Sequence, residues 1–551
     1  MKVQHIQQFN KKQEKAPQFG NAGSAVLRYL ATNQGVGANL TDLSFMVIPR
    51  IATDAKRGPA ACLETTRREA SGTANHSLIG AYGMMAGGLA SLVMGFGNKF
   101  GTGVNNIFAA PETLRILAEN KARQVKNNAT QIDYIKETLA NIKGFNPTSI
   151  NADTEGFVKL SKETIDDVAE VLNRAISKEG LTFNDWSSKR AADSLHVALN
   201  KIIADTGADS KYILEDAAKE IKSQTSLKTL LEDVFKVSKT FNKEKVVEAF
   251  KSQVENNKGI ADNAFMKKLT TFMKTKSIAG VLMATAIGCS IQPLNIYLTK
   301  LKTGSDGFVG VEGRSKDDSV GFKALKAGSA AAFFAMVLTT LGTGIKGFMD
   351  KMSFKGFWPT ISQLKGIYGL TIISRIFATR DKDELREALT KDTLGFLSWL
   401  VLGDIVNKLT ATALDNPEAT VLNTTEKEAK GIWAKTKRAF NASLKTRDEI
   451  LIESLAAKDV KTTKIKDGKV IAKTFKEMMA DLNNIADKEF VKTAKRRLST
   501  LNKAQLAGYA FSGLVLGLGI PNLNIYLTNR LDKKRKAKAA QEAQQAQLAK
   551  A

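Results

Sequence analysis

Apolar and polar residues are segregated into blocks along this chain. Four windows, Ser77–Asn98, Ser277–Thr299, Ala327–Ile345 and Ala504–Asn529, contain no charged residue, although Asp, Glu, Lys and Arg make up 25% of the sequence. A helix needs about 20 apolar residues to cross a hydrocarbon core about 30 Å thick, and each window is of that order. Two weaker windows follow the third. Residues 361–377 carry Lys365 and Arg375, and residues 393–411 carry Asp404 and Lys408. A charge at mid-bilayer costs about 3 kcal/mol on the insertion scale, so these are either interior helices of a bundle or amphipathic helices on the membrane surface. The pattern predicts an all-α, multipass helical membrane protein with four to six spans.

Between the windows lie two polar blocks, 99–276 and 412–503. Helical period is visible over Phe157–Ile176, Ser187–Ile203, Ile213–Ile221 and Leu227–Val237, and both blocks are predicted to be helical bundles. The remaining divisions are a disordered N-terminus (1–23), interfacial lead-in helices (24–76), a Gly-rich connector (300–326), a membrane region (327–411) and a basic Ala/Gln-rich tail (530–551). Ala327–Ile345 is rich in small residues and needs neighbouring helices to hold it in lipid.

Two windows end alike. Leu294–Thr299 and Leu523–Thr528 both read Leu-Asn-Ile-Tyr-Leu-Thr. Upstream, Phe250-Lys251, Ile260-Ala261-Asp262 and Phe265 recur in order as Phe475-Lys476, Ile485-Ala486-Asp487 and Phe490. The spacing differs by a few residues between the copies. An internal duplication over about Lys245–Lys302 and Val470–Lys533 accounts for this, each unit being amphipathic helix feeding a membrane helix. Pro293 and Pro521 lack a backbone N–H and break the helix near its end. Tyr297 and Tyr526 then fall at headgroup depth. Asn295 and Asn524 are expected to satisfy the carbonyls that the prolines free, or to line a path through the membrane.

Glycines mark the helix contacts. Gly83 with Gly87 and Gly513 with Gly517 are small-xxx-small pairs, which let helix backbones approach closely in lipid.

The net charge of +26 raises the question of nucleic acid. Aromatics are sparse, and no zinc-finger spacing, basic region with heptads or recognition helix is present, which disfavours it. Lys and Arg also hold loops on the cytoplasmic side and bind anionic headgroups. The cluster Lys533, Lys534, Arg535 and Lys536, just past the last window, fits a lipid anchor. Basic residues before the first window (Lys56, Arg57, Arg67, Arg68), in 300–326 and after 529 place these three regions inside the cell, so that both repeat helices run inward and the polar blocks face outward. Lys492, Lys495, Arg496 and Arg497 run against this orientation.

Catalytic chemistry is missing from the pattern. Two cysteines (Cys62, Cys289) and three scattered histidines (His5, His76, His196) make neither a disulfide framework nor a zinc site. No nucleophile elbow, metalloprotease helix, Walker loop or kinase set occurs. The chain is therefore expected to be no enzyme and to carry no cofactor. The polar residues of interest inside the membrane region are Arg375 and Asp404, which either pair across helices or, for Asp404, pair with Lys408 at i, i+4 on a helix surface. The function expected is an envelope scaffold or interaction protein integral to the cell membrane, with lipid headgroups, other proteins and a second copy of the chain as candidate partners. The alternatives are a transporter or channel using the membrane charges, and an amphitropic pore former or phage component.

Overall fold

A computed structural model describes residues 34–56, 58–93, 102–147, 149–188, 194–209, 211–216, 220–255, 263–304, 316–354, 359–415, 420–424, 431–466 and 469–548. The expected disordered terminus (1–23), most of the Gly-rich connector, the repeat segment 260–262 and the end of the first window (94–98) lie outside these residues. So do the side chains of Arg535 and Lys536.

The chain starts with α1 (Gln34–Asp42), a π-helical segment (Leu43–Val47), α2 (Ile48–Ala55), α3 (Pro59–Ser77) and α4 (Ile79–Val93). The first polar block follows. It holds α5 (Pro111–Lys126), α6 (Gln131–Ala140), β1 (Ile142–Phe145), β2 (Phe157–Lys159), α7 (Lys162–Ser177), α8 (Phe183–Ser188), α9 (Leu195–Thr206), β3 (Tyr212–Asp216), β4 (Ile221–Thr225), α10 (Leu227–Phe241) and α11 (Glu244–Glu255). The apolar region comprises α12 (Ala264–Thr303), α13 (Val320–Leu341), α14 (Ile345–Lys351), α15 (Ile361–Ala378), α16 (Lys382–Leu397), a second π-helical segment (Ser398–Leu402) and α17 (Gly403–Leu414). The second polar block has β5 (Leu422–Asn423), α18 (Ile432–Asn441), β6 (Ser443–Leu444), α19 (Arg447–Ala456), β7 (Thr463–Lys466), β8 (Lys469–Ala472) and α20 (Phe475–Asn484). Last come α21 (Lys488–Ser512), a third π-helical segment (Gly513–Gly519) and α22 (Ile520–Leu548), which carries the basic tail as continuous helix.

The protein is mostly helical, with a small antiparallel sheet of order β2-β1-β3-β4 in the first polar block. That sheet corrects two expectations. Ile213–Ile221 does not form a helix, and the helix expected from Phe157 begins only at Lys162. Short apolar runs carry no periodicity that separates strand from helix. Here β1 supplies ladder partners on both sides, with Ile142 opposite Leu214 and Phe145 opposite Phe157.

The two polar blocks form one body. A single core contains Leu117, Ile135, Val168, Leu172 and Val234 of the first block together with Leu451, Ile452, Leu455, Met478 and Leu482 of the second. It also takes in the N-terminal turns of the two long helices, through Phe265, Leu269, Phe272 and Met273 of α12 and Val491 and Ala494 of α21. At a rise of 1.5 Å per residue, α12 is about 60 Å long, roughly twice a hydrocarbon core. Its first turns, to Met273, are bound in the polar body, and from Val281 onward it packs in the apolar bundle.

The apolar bundle has its own core, built from Ile79, Val281, Ala284, Phe333, Val337, Ile367, Ile372, Phe396, Leu516 and Ile520. Among the described residues four helical stretches are long and apolar enough to cross a membrane: Ala264–Lys302, Val320–Leu341, Lys382–Leu414 and Lys488–Leu531. The window 393–411 belongs to the third of these. The first charge-free window differs from expectation. Its described part forms only the 15-residue α4, which is long enough to cross a membrane only together with α3, set at 59° to it. The weak window 361–377 corresponds to α15, which packs among α12, α13 and α16. Its Leu364, Ile367, Ile372 and Ile376 are wholly buried. An interior helix exposes little surface, so its polar residues need only protein partners.

The glycines act within the chain. A Cβ on Gly280 of α12 would stand 3.0 Å from the Gly83 Cα of α4, and one on Gly87 would strike Asn105 and crowd Lys276. Gly513 and Gly517 face Phe45 and Pro49. Both pairs therefore sit in close contacts, each against another segment of the same polypeptide.

Candidate functional site

Charged residues gather at the end of the bundle remote from the polar body. Arg375 is near the C-terminus of α15, with 7% of its surface exposed, and its Nη1 donates to Asp392 Oδ1 of α16 at 3.2 Å. Arg50 of α2 donates to Glu69 Oε2 of α3 at 2.9 Å, and Lys391 of α16 reaches the other oxygen of Glu69 at 3.1 Å. Asp42 accepts from Thr73 Oγ1 at 2.5 Å. Arg380 donates to Glu384 through its backbone N–H at 2.8 Å and its Nε at 3.0 Å.

Local sequence explains the placement. Pro49 and Pro59 sit at the starts of α2 and α3 and leave a short connection, so Arg50 and Glu69 face each other across an antiparallel pair. Asp381 caps α16, accepting from the Asp383 and Glu384 N–H groups, which turns the chain sharply after α15 and lays Asp392 beside Arg375.

Some of these groups border a cavity of about 150 Å³. Its wall includes Arg50, Arg375, Lys391 and Asp392, together with Gln292 of α12 and Asn524 of α22. Asn524 Nδ2 donates to the Glu387 carbonyl at 3.3 Å, and Thr528 Oγ1 donates to Glu387 Oε1 at 2.8 Å. Among the described residues, Gln292 Oε1 and Asn524 Oδ1 are buried and have no hydrogen-bond partner.

Several candidate residues go elsewhere. Asp404 does not meet Arg375. It pairs with Lys408 at 2.9 Å, and its side chain is 62% exposed. Nor do the repeat asparagines cap the prolines. Pro293 frees the Cys289 carbonyl four residues earlier, and Ser374 Oγ donates to that oxygen at 2.8 Å. Asn295 is buried, and Asn524 is tied to α16. Tyr297 and Tyr526 are both exposed, as are Lys533 and Lys534.

Sequence reasoning missed Arg50, Glu69, Lys391, Asp392 and Gln292. Asp392 stands one residue outside the window that starts at Thr393. Glu69 is a lone acid among Arg67, Arg68 and small residues, a signal that could have drawn attention. Arg50 and Gln292 carried no such signal.

A second charged group seals the polar body. Glu449 of α19 is fully buried. Its Oε1 accepts from the Asp209 N–H at 2.8 Å, and Thr446 Oγ1 donates to Asp209 Oδ2 at 2.9 Å. Burial, and then the Asp209 carboxylate, push the Glu449 carboxyl up to about 7. Burial raises the nearby Glu453 as well, but Lys445 and Arg497 outweigh it and hold that carboxyl below its usual range. Among the described residues no His, Cys, Asp and Glu set could hold a metal ion.

No protein-family model, curated protein or solved structure matches this chain.

Proposed function

We propose that this chain is an integral membrane protein that holds one large polar body at a membrane surface, as a scaffold or interaction platform of the cell envelope. The observation that carries this reading is the inverted polarity of the helical bundle. The charges Arg50, Glu69, Arg375 and Asp392 are inside, while Leu89, Leu92, Leu282, Leu294, Leu514 and Leu518 are exposed on its outer surface. Water penalises that arrangement and lipid favours it. Alkaline carbonate extraction of native membranes tests it. The protein is expected to stay in the pellet, and its release into the supernatant would overturn the proposal.

The internal duplication belongs to this reading. Each copy is a short helix (α11, α20), a side-chain cap (Asn263, Asp487) and a long helix that leaves the polar body and ends in basic residues. Gln292 and Asn524 border the same cavity, which supports two copies running in the same direction. Lys300, Lys302, Arg530, Lys533 and Lys534 then mark the cytoplasmic side, and the polar body faces outward. A C-terminal reporter active only outside the cytoplasm would refute this orientation.

A second reading, that the bundle binds or passes a small polar solute, is favoured by the cavity itself. Burying ion pairs does not ordinarily stabilise a fold, since desolvation costs several kcal/mol per ion. A network of such pairs around an opening fits a solute path.

A further inference from the structure

We infer that α18, on the polar body, is an interfacial helix that lies along the membrane surface, its apolar face seated between lipid headgroups and acyl chains. The inference rests on the integral-membrane reading. The first observation is an apolar cluster on a surface that is otherwise polar. Ile432, Trp433 and Phe440 of α18 are 79%, 85% and 57% exposed. Among the described residues, the polar body otherwise exposes large apolar side chains only singly, at Ile150 and Ile465. The three residues of α18 share one side of the helix. At about 3.6 residues per turn, the arc runs from Ile432 through Thr436 and Phe440 to Trp433. Lys437 stands at one edge of this arc and Lys435 at the other, and both are exposed.

The second observation is where the helix is held. It packs on α17, the last part of the candidate span Lys382–Leu414. On its protein-facing side Arg438 is buried, and its Nη2 donates to Asp415 Oδ2 at 3.1 Å. Asp415 directly follows the span. The same carboxylate accepts from Thr420 Oγ1 at 2.7 Å and from the Val421 N–H at 3.0 Å, which fixes the anchor. The apolar arc is therefore tied to the level at which the span leaves the bilayer, where Leu414 is itself exposed. With 10 residues, α18 is about 15 Å long, too short to cross a bilayer and suited to lying on one. The third observation is the chemistry of the face. An indole joins an apolar ring to an N–H donor, and lysine stems cover apolar surface while their ammonium groups reach outward to phosphate. Both side chains suit the headgroup layer. A protein partner is the competing occupant, but lysine is depleted from the cores of such interfaces.

The test uses the full chain in lipid nanodiscs. The emission of Trp433 is taken as the difference between the unsubstituted protein and Trp433→Phe. It is expected to be blue-shifted and insensitive to iodide. Lipids brominated high on the acyl chain are expected to remove most of its intensity, and lipids brominated near the chain end to remove less. A nitroxide on Phe440→Cys, in a Cys62→Ser and Cys289→Ser background, gives an independent measurement. Oxygen is expected to relax it more than a water-soluble nickel chelate does, and the reverse order would count against the inference. Iodide quenching of Trp433 would show the face in water and overturn the inference. Shielding from both iodide and brominated lipid would show a protein on the face, a second copy included, and would overturn it as well. In either case, retention in the pellet on carbonate extraction would keep the integral-membrane reading, so the two can fail separately.

Discussion

Arg375 and Asp392 illustrate how a buried charge behaves when its partner is taken away. At 7% and 2% exposure, neither has water to fall back on. Arg375→Met strands Asp392 and is expected to cost about 3–5 kcal/mol, whereas changing both residues to apolar side chains of similar volume is expected to recover most of that loss. Melting curves of the two singles and the double in detergent check this, and an additive double would show that the residues do not act as a pair. The Pro293 site gives a smaller coupling. Ser374→Ala leaves the Cys289 carbonyl without its donor and is expected to cost about 1–3 kcal/mol. In a Pro293→Ala background a backbone N–H becomes available to that oxygen, and the cost of Ser374→Ala should fall toward zero.

Among the elements, the long helices α12 and α21 do the joining, since each begins in the polar body's core and ends in the apolar bundle. The contact of α12 with α4 depends on backbone approach at Gly280 and Gly83. Gly280→Leu is expected to push the helices apart and destabilise the bundle by about 1–3 kcal/mol, with the ordered polar core less affected. Hydrogen exchange resolved by segment checks this, and uniform loss of protection across both regions would count against a separable bundle. Among the described residues three π-helical segments pack on one another elsewhere in the bundle. Leu43–Val47 packs on Gly513–Gly519, which also touches Ser398–Leu402. Each widens a helix by one residue per turn and shifts which side chains face the interior.

For the whole molecule, the seam between the two polar blocks carries a pH signature. Glu449 holds its proton to about pH 7 when folded, against an ordinary value of 4.5. The folded state therefore binds more protons between these values. Its stability from this group is full below about pH 4.5 and declines as pH rises to 7. Glu449→Gln is expected to flatten that decline. Denaturant midpoints at pH 5 and pH 8 for both proteins check it, and equal slopes would remove Glu449 as the cause.

The segregation of charge from apolar runs was legible in the sequence because it follows from composition over windows of about 20 residues, which is the scale on which lipid selects. By the same local logic the recurrence of Leu-Asn-Ile-Tyr-Leu-Thr and the Asp404–Lys408 surface pair could be read from neighbouring residues. The break expected at Pro293 does not occur, since α12 runs through it to Thr303. The tertiary structure alone decided that Arg375 meets Asp392, that Arg50 and Lys391 share Glu69, that two polar blocks separated by the whole apolar region close over one core, and that Ile213 lies in a strand. Each of those outcomes depends on residues far apart in the chain arriving side by side. A buried charge or a strand edge is satisfied by whatever partner packing brings to it, and one-dimensional spacing does not encode that partner.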